Sequence, residues 1–157
     1  MVISMTRTAA RELAVQLCFR LAQNPEMPAS KALDDFFDEE YFATLADEEE
    51  LSPEYPDELQ MVYIRRLTEG VAERLYELDG FIERYSKGWK VTRISKTALA
   101  VLRAAMYEIL YMEDIPNAAA INEAVELAKS YEEQETVAFI NGILGSFVRG
   151  ELENEVE

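Results

Sequence analysis

Apolar side chains recur along this chain with a period close to 3.6 almost from end to end. Ala10, Leu13, Ala14, Leu17, Cys18 and Leu21 make the first such stripe. Ser4 or Thr6 suits its N-cap, and it stops near Asn24-Pro25. Residues 28–46 predict a second amphipathic helix, with Leu33, Phe36, Phe37, Tyr41, Phe42 and Leu45 on one face and acids on the other. Two prolines and an acid run between Asp47 and Pro56 predict a loop. A long third helix is expected from Asp57, with Leu59, Val62, Tyr63, Arg66, Leu67, Val71, Leu75 and Leu78 on or beside its buried stripe. Gly80 is its candidate bend, and Phe81, Ile82 and Tyr85 carry the face on to Lys87-Gly88. After a connector holding Trp89, Ser95 suits the N-cap of a helix from Lys96 to Met112 that is apolar around most of its circumference and therefore central. Pro116 stops what precedes it, Asn117 is the expected cap of a helix to about Tyr131, and a last helix runs from about Glu135 to Arg149. No run alternates β-branched and polar residues between hairpin turns, and no repeat of solenoid length recurs. The pattern predicts an all-α protein of about six to seven helices.

Length and composition fit that picture. A chain of 157 residues is one domain's worth, enough to bury roughly two-thirds of the surface its unfolded form exposes. Nothing approaches the roughly 20 apolar residues of a membrane span. Met1 to Met5 shows no basic segment leading into an apolar core, so no signal peptide is expected. The single cysteine, Cys18, cannot form an internal disulfide; a small buried hydrophobe in a reducing cytoplasm is the expectation.

Charge alters the picture more. The formal net charge of −16 argues against broad, nonspecific coating of nucleic acid. From Asp34 to Glu58 there are twelve acids and no Lys or Arg, which is read as a solvated face in preference to a docking surface. From Tyr63 to Arg103, nine bases outnumber five acids, and beyond Arg103 acid dominates again. Any anion-binding surface must therefore be local.

Enzyme chemistry finds little footing. With no histidine, Ser-His and Cys-His arrangements and the usual zinc sets cannot be built. The six glycines form neither a dinucleotide fingerprint nor a phosphate loop. Paired acids such as Asp34-Asp35 and Glu132-Glu133 lie in acid-rich stretches with nothing to raise a pKa. No catalytic residue, metal or cofactor is expected.

Two basic elements remain. Arg7 and Arg11, four apart at the start of the first helix, share a face beside a positive helix end and form a small phosphate-reading unit. Lys87, Lys90, Arg93 and Lys96 surround Trp89, a pattern that suits RNA backbone contact with base stacking. For Trp89 itself, a plug between two half-bundles is the favoured expectation. Arg103, inside so apolar a helix, needs a partner, and Glu108 and Glu123 are the candidates. A structural role for Arg103 and Glu123 is favoured over direct RNA contact.

Residues 100–144 read AVLRAAMYEILYMEDIPNAAAINEAVELAKSYEEQETVAFINGILG. In order, spacing and length this resembles the signature half of the NusB transcription antitermination family, with its LR-x-A-x-YE, IP, INEAVELAK and F-[IV]-NG-x-L blocks. RTAARELAVQLCF resembles the family's arginine-rich opening helix and LDGFIERYSKGWKVTRIS its central region. Only the acidic second helix and loop fall outside the likeness.

That resemblance implies one NusB-like RNA-binding domain: two packed helical bundles, an N-terminal half over residues 1–86 and a C-terminal half over 87–157 ending in an acidic tail. It implies binding of boxA-type RNA, in the cytoplasm, with the small-subunit ribosomal protein that doubles as NusE, and docking of the pair on the RNA polymerase antitermination complex. A homodimer that hides the RNA surface is compatible with it. Arg7 and Arg11 are what this chain keeps of the arginine-rich start, since Thr8, Ala9 and Ala10 stand between them. Phe139 and Asn141 match the F-x-N-G block, and Glu135 takes the acidic position one turn before Phe139, where a carboxylate tempers affinity by repelling phosphate. Phe139 is either an apolar or stacking contact or a core ring. With Arg93 and Lys96 these are the expected RNA-binding positions. The alternatives are an adaptor that has lost RNA binding, and the docking domain of an RNA methyltransferase; the latter needs a catalytic domain for which this length has no room.

Overall fold

The computed structural model describes residues 5–48 and 54–153, the side chains of 46–48 excepted. Among these residues there are eight α-helices, one short 3₁₀ turn and no strand. The all-α expectation holds, with one helix more than the upper count. The chain divides into two compact units, Met1–Ala72 and Glu73–Glu157.

In the first unit, α1 (Arg7–Gln23) opens at Thr6, whose hydroxyl accepts from the Ala9 amide at 3.0 Å. Ser4, the other expected cap, lies outside the described residues. Of the stripe read from the sequence, α1 buries Ala10, Leu13, Ala14, Leu17 and Cys18, while Leu21 is half-buried. The helix expected over 28–46 is two: α2 (Ala29–Phe36) and α3 (Glu39–Glu48). The break at Phe37-Asp38 lets Phe36, Phe37 and Phe42 turn inward together, with ring centroids 5.0–6.0 Å apart. Tyr55 closes this cluster edge-on to Phe42 at 5.2 Å and donates its hydroxyl to the Phe37 carbonyl at 2.8 Å. Such edge-to-face pairs contribute about 0.5–1.5 kcal/mol beyond burial. Part of the expected loop, residues 49–53, lies outside the described residues. α4 (Glu58–Glu73) starts where Asp57 accepts from the Gln60 amide at 2.9 Å and buries Tyr63, Ile64, Leu67 and Val71.

In the second unit, α5 (Leu75–Tyr85) begins after Arg74, so the expected long third helix ends there; Gly80 bends nothing and sits inside α5. α6 (Lys96–Tyr111) is the core helix, with eleven of its sixteen residues buried. Around it pack α5, α7 (Asn117–Lys129) and α8 (Gln134–Glu151). α7 approaches through Ala120, Ala124 and Ala128, one small residue per turn. Ala118 and Ala119 face outward, and Asn117 is the first helical residue while Pro116 holds the cap position. α8 contributes Ile140, Ile143, Leu144 and Phe147. It also meets α5 closely: a Cβ at Gly150 would overlap the Tyr85 hydroxyl, which donates to Glu151 at 3.0 Å. Arg84 pairs with the same Glu151 carboxylate.

Candidate nucleic-acid interface

In the first unit, Arg7 and Arg11 do share a face of α1, Arg7 half-buried and Arg11 buried. The Arg7 guanidinium lies 4.1 Å from the centroid of the buried Tyr63 ring, and its Nε donates to Gln60 Oε1 at 2.8 Å. Arg11 sits 5.6 Å from the same ring and is only 7 % exposed. Such placement is cation–π packing at the join of α1 and α4. Two open phosphate hooks were the expectation; the chain instead spends much of this arginine pair on its own packing.

The second unit presents the more open basic surface. α5 ends at Tyr85, and Ser86 follows, almost wholly buried. Its hydroxyl lies within hydrogen-bonding reach of the Glu83 and Trp89 carbonyls, and the Trp89 amide donates back to the Ser86 carbonyl at 3.3 Å. To close this turn Lys87 takes φ +55° and Gly88 φ +90°, the left-handed region where a side chain costs roughly 1–2 kcal/mol and glycine costs none. A 3₁₀ turn, Val91–Arg93, then leads to Ser95. Ser95 caps α6 by accepting from the Ala98 amide at 3.1 Å and donates to Glu132 at 2.7 Å. That second bond ties the start of α6 to the loop before α8, and so fixes the first turns of α8 beside the connector.

Trp89 emerges from this turn 53 % exposed. The expectation that it plugs a gap does not hold, because more than half of the side chain is open to solvent. Its ring meets the half-buried Phe139 edge-to-face, with centroids 6.2 Å apart and planes at 62°. A groove of about 260 Å³ opens here, lined by Trp89, Arg93, Ile94, Ser95, Glu135, Thr136 and Phe139. A second, of about 470 Å³, is lined by Lys87, Gly88, Trp89, Lys90 and Arg93. Lys87, Lys90, Arg93 and Lys96 are all exposed.

Of the positions singled out in the sequence, Arg93, Phe139 and Glu135 thus come together. Lys96 is exposed at the first position of α6 but lines neither groove. Asn141 is exposed on α8 two residues past Phe139, so it points from a different face. Its neighbour Gly142 is exposed too, with nothing within 4 Å of where a Cβ would be, so this pair marks open surface and no tight crossing. Arg103 is held by Asp79 of α5, Nε to Oδ1 at 2.7 Å and Nη2 to Oδ2 at 3.0 Å, in place of the glutamates expected. Glu123 is half-buried on α7 and engaged in interactions of its own. Lys87, Lys90 and Trp89 belong to these grooves, as the basic connector around one aromatic suggested, although only Arg93 and Lys96 of it stood among the RNA-binding positions singled out. Their spacing around one aromatic was the available signal.

Comparison with known proteins bears on all of this. The family model described as NusB family matches residues 8–149. The chain belongs to the NusB family. The transcription antitermination protein NusB of Acetivibrio thermocellus is 43 % identical over 148 residues, covering 94 % of this chain and 92 % of that one. The NusB protein of Symbiobacterium thermophilum, of the same description, is 37 % identical over 93 % of this chain and 91 % of its own. Among solved structures, T. maritima NusB superposes with a TM-score of 0.77 at 28 % identity, covering 98 % of this chain and 97 % of that one. The NusB architecture accounts for the α6–α8 arrangement that carries Phe139 and Glu135. Among the described residues no helix is long and apolar enough to cross a membrane, and no group of three side chains is placed to hold a metal ion.

Proposed function

We propose that this NusB-family chain acts in transcription antitermination by binding boxA-type RNA through the Lys87–Lys96 surface. In this role it works in the cytoplasm beside a NusE-type small-subunit ribosomal protein, within the RNA polymerase antitermination complex. One observation carries the reading. In a chain of net charge −16, four exposed bases surround an exposed tryptophan inside ten residues. The overall charge repels nucleic acid at long range, so useful affinity must come from such a local patch, aided by a partner that brings bases of its own. Binding and release suffice for this role, and no bond is made or broken.

The test is fluorescence anisotropy of labelled boxA RNA against a scrambled strand, with and without the ribosomal protein, across a salt series. The expected result is preferential binding that tightens with the partner. Arg93→Ala and Lys96→Ala should each flatten the salt slope by about 0.7, the value for one phosphate contact on a single strand. Equal, feeble binding to both RNAs in the presence of the partner would defeat the proposal. The adaptor reading would then lead, since Arg7 and Arg11 are already engaged within the chain.

A further inference from the structure

We infer that the groove between α1 and α2 docks an amphipathic helix of a partner protein, with apolar residues on its inner face and Lys or Arg along its edges. The surface lies wholly in the first unit and shares no residue with the grooves around Trp89.

The shape comes from two helix faces. Leu17, Leu21 and Asn24 follow one another along α1 and its cap at helical spacing, so they stand in one row. Ala32, Asp35 and Phe36 make a second row on α2. These rows line a groove of about 720 Å³, which Met27 and Tyr41 complete. Its floor is apolar, since Leu17 and Phe36 are buried and Leu21 is half-buried, while Met27 and Tyr41 are 42 % and 45 % exposed. Two rows of side chains with a trough between them make a seat for a third helix, which lays residues spaced i, i+3, i+4 and i+7 into it. Methionine and tyrosine are also the types that interfaces favour, the first for its flexible packing and the second for its amphipathic ring.

Charge selects the ligand. Asp34, Asp35 and Asp38 line the groove, and Glu39 and Glu40 follow in the first turn of α3. Asp34 and Asp35 sit in the last turn of α2, where the helix end is itself partly negative, so their placement works against the helix that carries them. Helix stability does not account for carboxylates there, whereas attraction of an outside cation does. Arg65 and Lys31 pair with these two at 2.9 and 3.0 Å, in contacts open to water and therefore weak. Arg20, the base among the lining residues, is turned onto the Phe36 ring, 5.6 Å from its centroid. From Asp34 to Glu58 the sequence holds no Lys or Arg. Such a rim repels a phosphate backbone, and a second copy of this chain brings the same acids and a net charge of −16. A basic helix suits both the trough and the field.

The probes are two labelled peptides of about 20 residues, beyond the length at which isolated helices are marginal. Both contain the same Leu, Lys and Arg residues; one places Leu at i, i+3, i+4 and i+7, and the other scatters them. Each is titrated with the full-length chain under anisotropy, and binding is mapped on amide NMR spectra of the chain. The amphipathic peptide should bind at least about 10-fold tighter than its scrambled twin, with the signals of Leu21, Met27, Ala32 and Tyr41 shifting most. Tyr41→Ala and, separately, Met27→Glu should weaken it about 10-fold, as loss of an anchor contact does. Asp35→Asn with Asp38→Asn should weaken it about 2- to 5-fold at low salt, an effect that fades as salt is added. Circular dichroism of every variant should match the parent. Equal binding of the two peptides, or shifts spread over Glu54, Asp57 and Glu58 while the groove stays still, reduces the contact to charge alone and overturns the inference, as does an absence of binding. Shifts in the groove on raising the concentration of the chain by itself assign it to self-association, and shifts on adding boxA RNA assign it to nucleic acid. Either overturns the inference.

Discussion

Arg103 of α6 grips Asp79 of α5 through two nearly parallel hydrogen bonds, 2.7 and 3.0 Å long, across 24 residues of sequence. The two partners are unequally covered: the Arg103 side chain is 9 % exposed and that of Asp79 26 %. Removing the acid strands a buried guanidinium, whereas removing the base leaves a carboxylate that water can reach. Asp79→Ala should therefore cost about 3–5 kcal/mol, and Arg103→Met less, about 1–3 kcal/mol. Urea unfolding followed by circular dichroism measures both, and the order of the two midpoints is the critical result.

Arg7 and Arg11 should separate in the same assay. Arg11, 7 % exposed beside Tyr63, packs through its stem as well as its charge. Arg11→Ala is expected to lower stability by about 1–3 kcal/mol. Arg7→Ala should lower it by about 1 kcal/mol, the value of a partly exposed cation–π contact with one hydrogen bond. Any loss of RNA affinity in Arg11→Ala that exceeds its loss of fold would show this arginine reaching the ligand after all.

Glu135 is exposed on the first turn of α8 and lines the smaller groove. Glu135→Gln keeps its shape and removes one negative charge from the path of a phosphate backbone. RNA binding should tighten several-fold at low salt, and the gain should shrink as salt is added, because screening shortens the reach of the lost repulsion. The unfolding midpoint should hold steady, with the stability change within about 0.5 kcal/mol.

Tyr111 gives the fold an alkaline limit. Its hydroxyl donates to Glu77 at 2.7 Å, and this bond to a carboxylate, followed by burial, raises the phenol above its ordinary value of 10.0. The unfolded chain then gives up this proton before the folded chain does. The contribution of Tyr111 is full below about pH 10 and drains away as pH rises through the folded value. Urea midpoints measured from pH 8 to 11 should fall at the upper end, and Tyr111→Phe should fall less steeply.

The elements that could be read in advance are those whose evidence is local. α6 was placed within a residue at either end because Ser95 is a strong cap and the apolar run behind it is unbroken. The Phe37-Asp38 break was not legible: Phe36, Phe37, Tyr41 and Phe42 keep to one face whether or not the helix is continuous, so periodicity records no interruption. The stop before Arg74 was missed for the same reason, since no glycine or proline marks it. At the site, residue types were legible and exposure was not. For a tryptophan among lysines the sequence favoured a plug, and only the structure shows it half exposed. The partner of Arg103 lies on another helix, where spacing along α6 holds no record of it.

Gly150 and Tyr85 bear on how this unit can change. With Tyr85 reaching across to Glu151, position 150 has no volume for even a methyl group. The two sites are therefore free to drift only as a pair: a larger residue at 150 becomes acceptable once 85 has shrunk, and a shrunken 85 gives up its bond to Glu151. An engineer who wished to graft a new segment after α8 would have to leave glycine at 150, because a tyrosine 65 residues earlier already fills the space a side chain there would need.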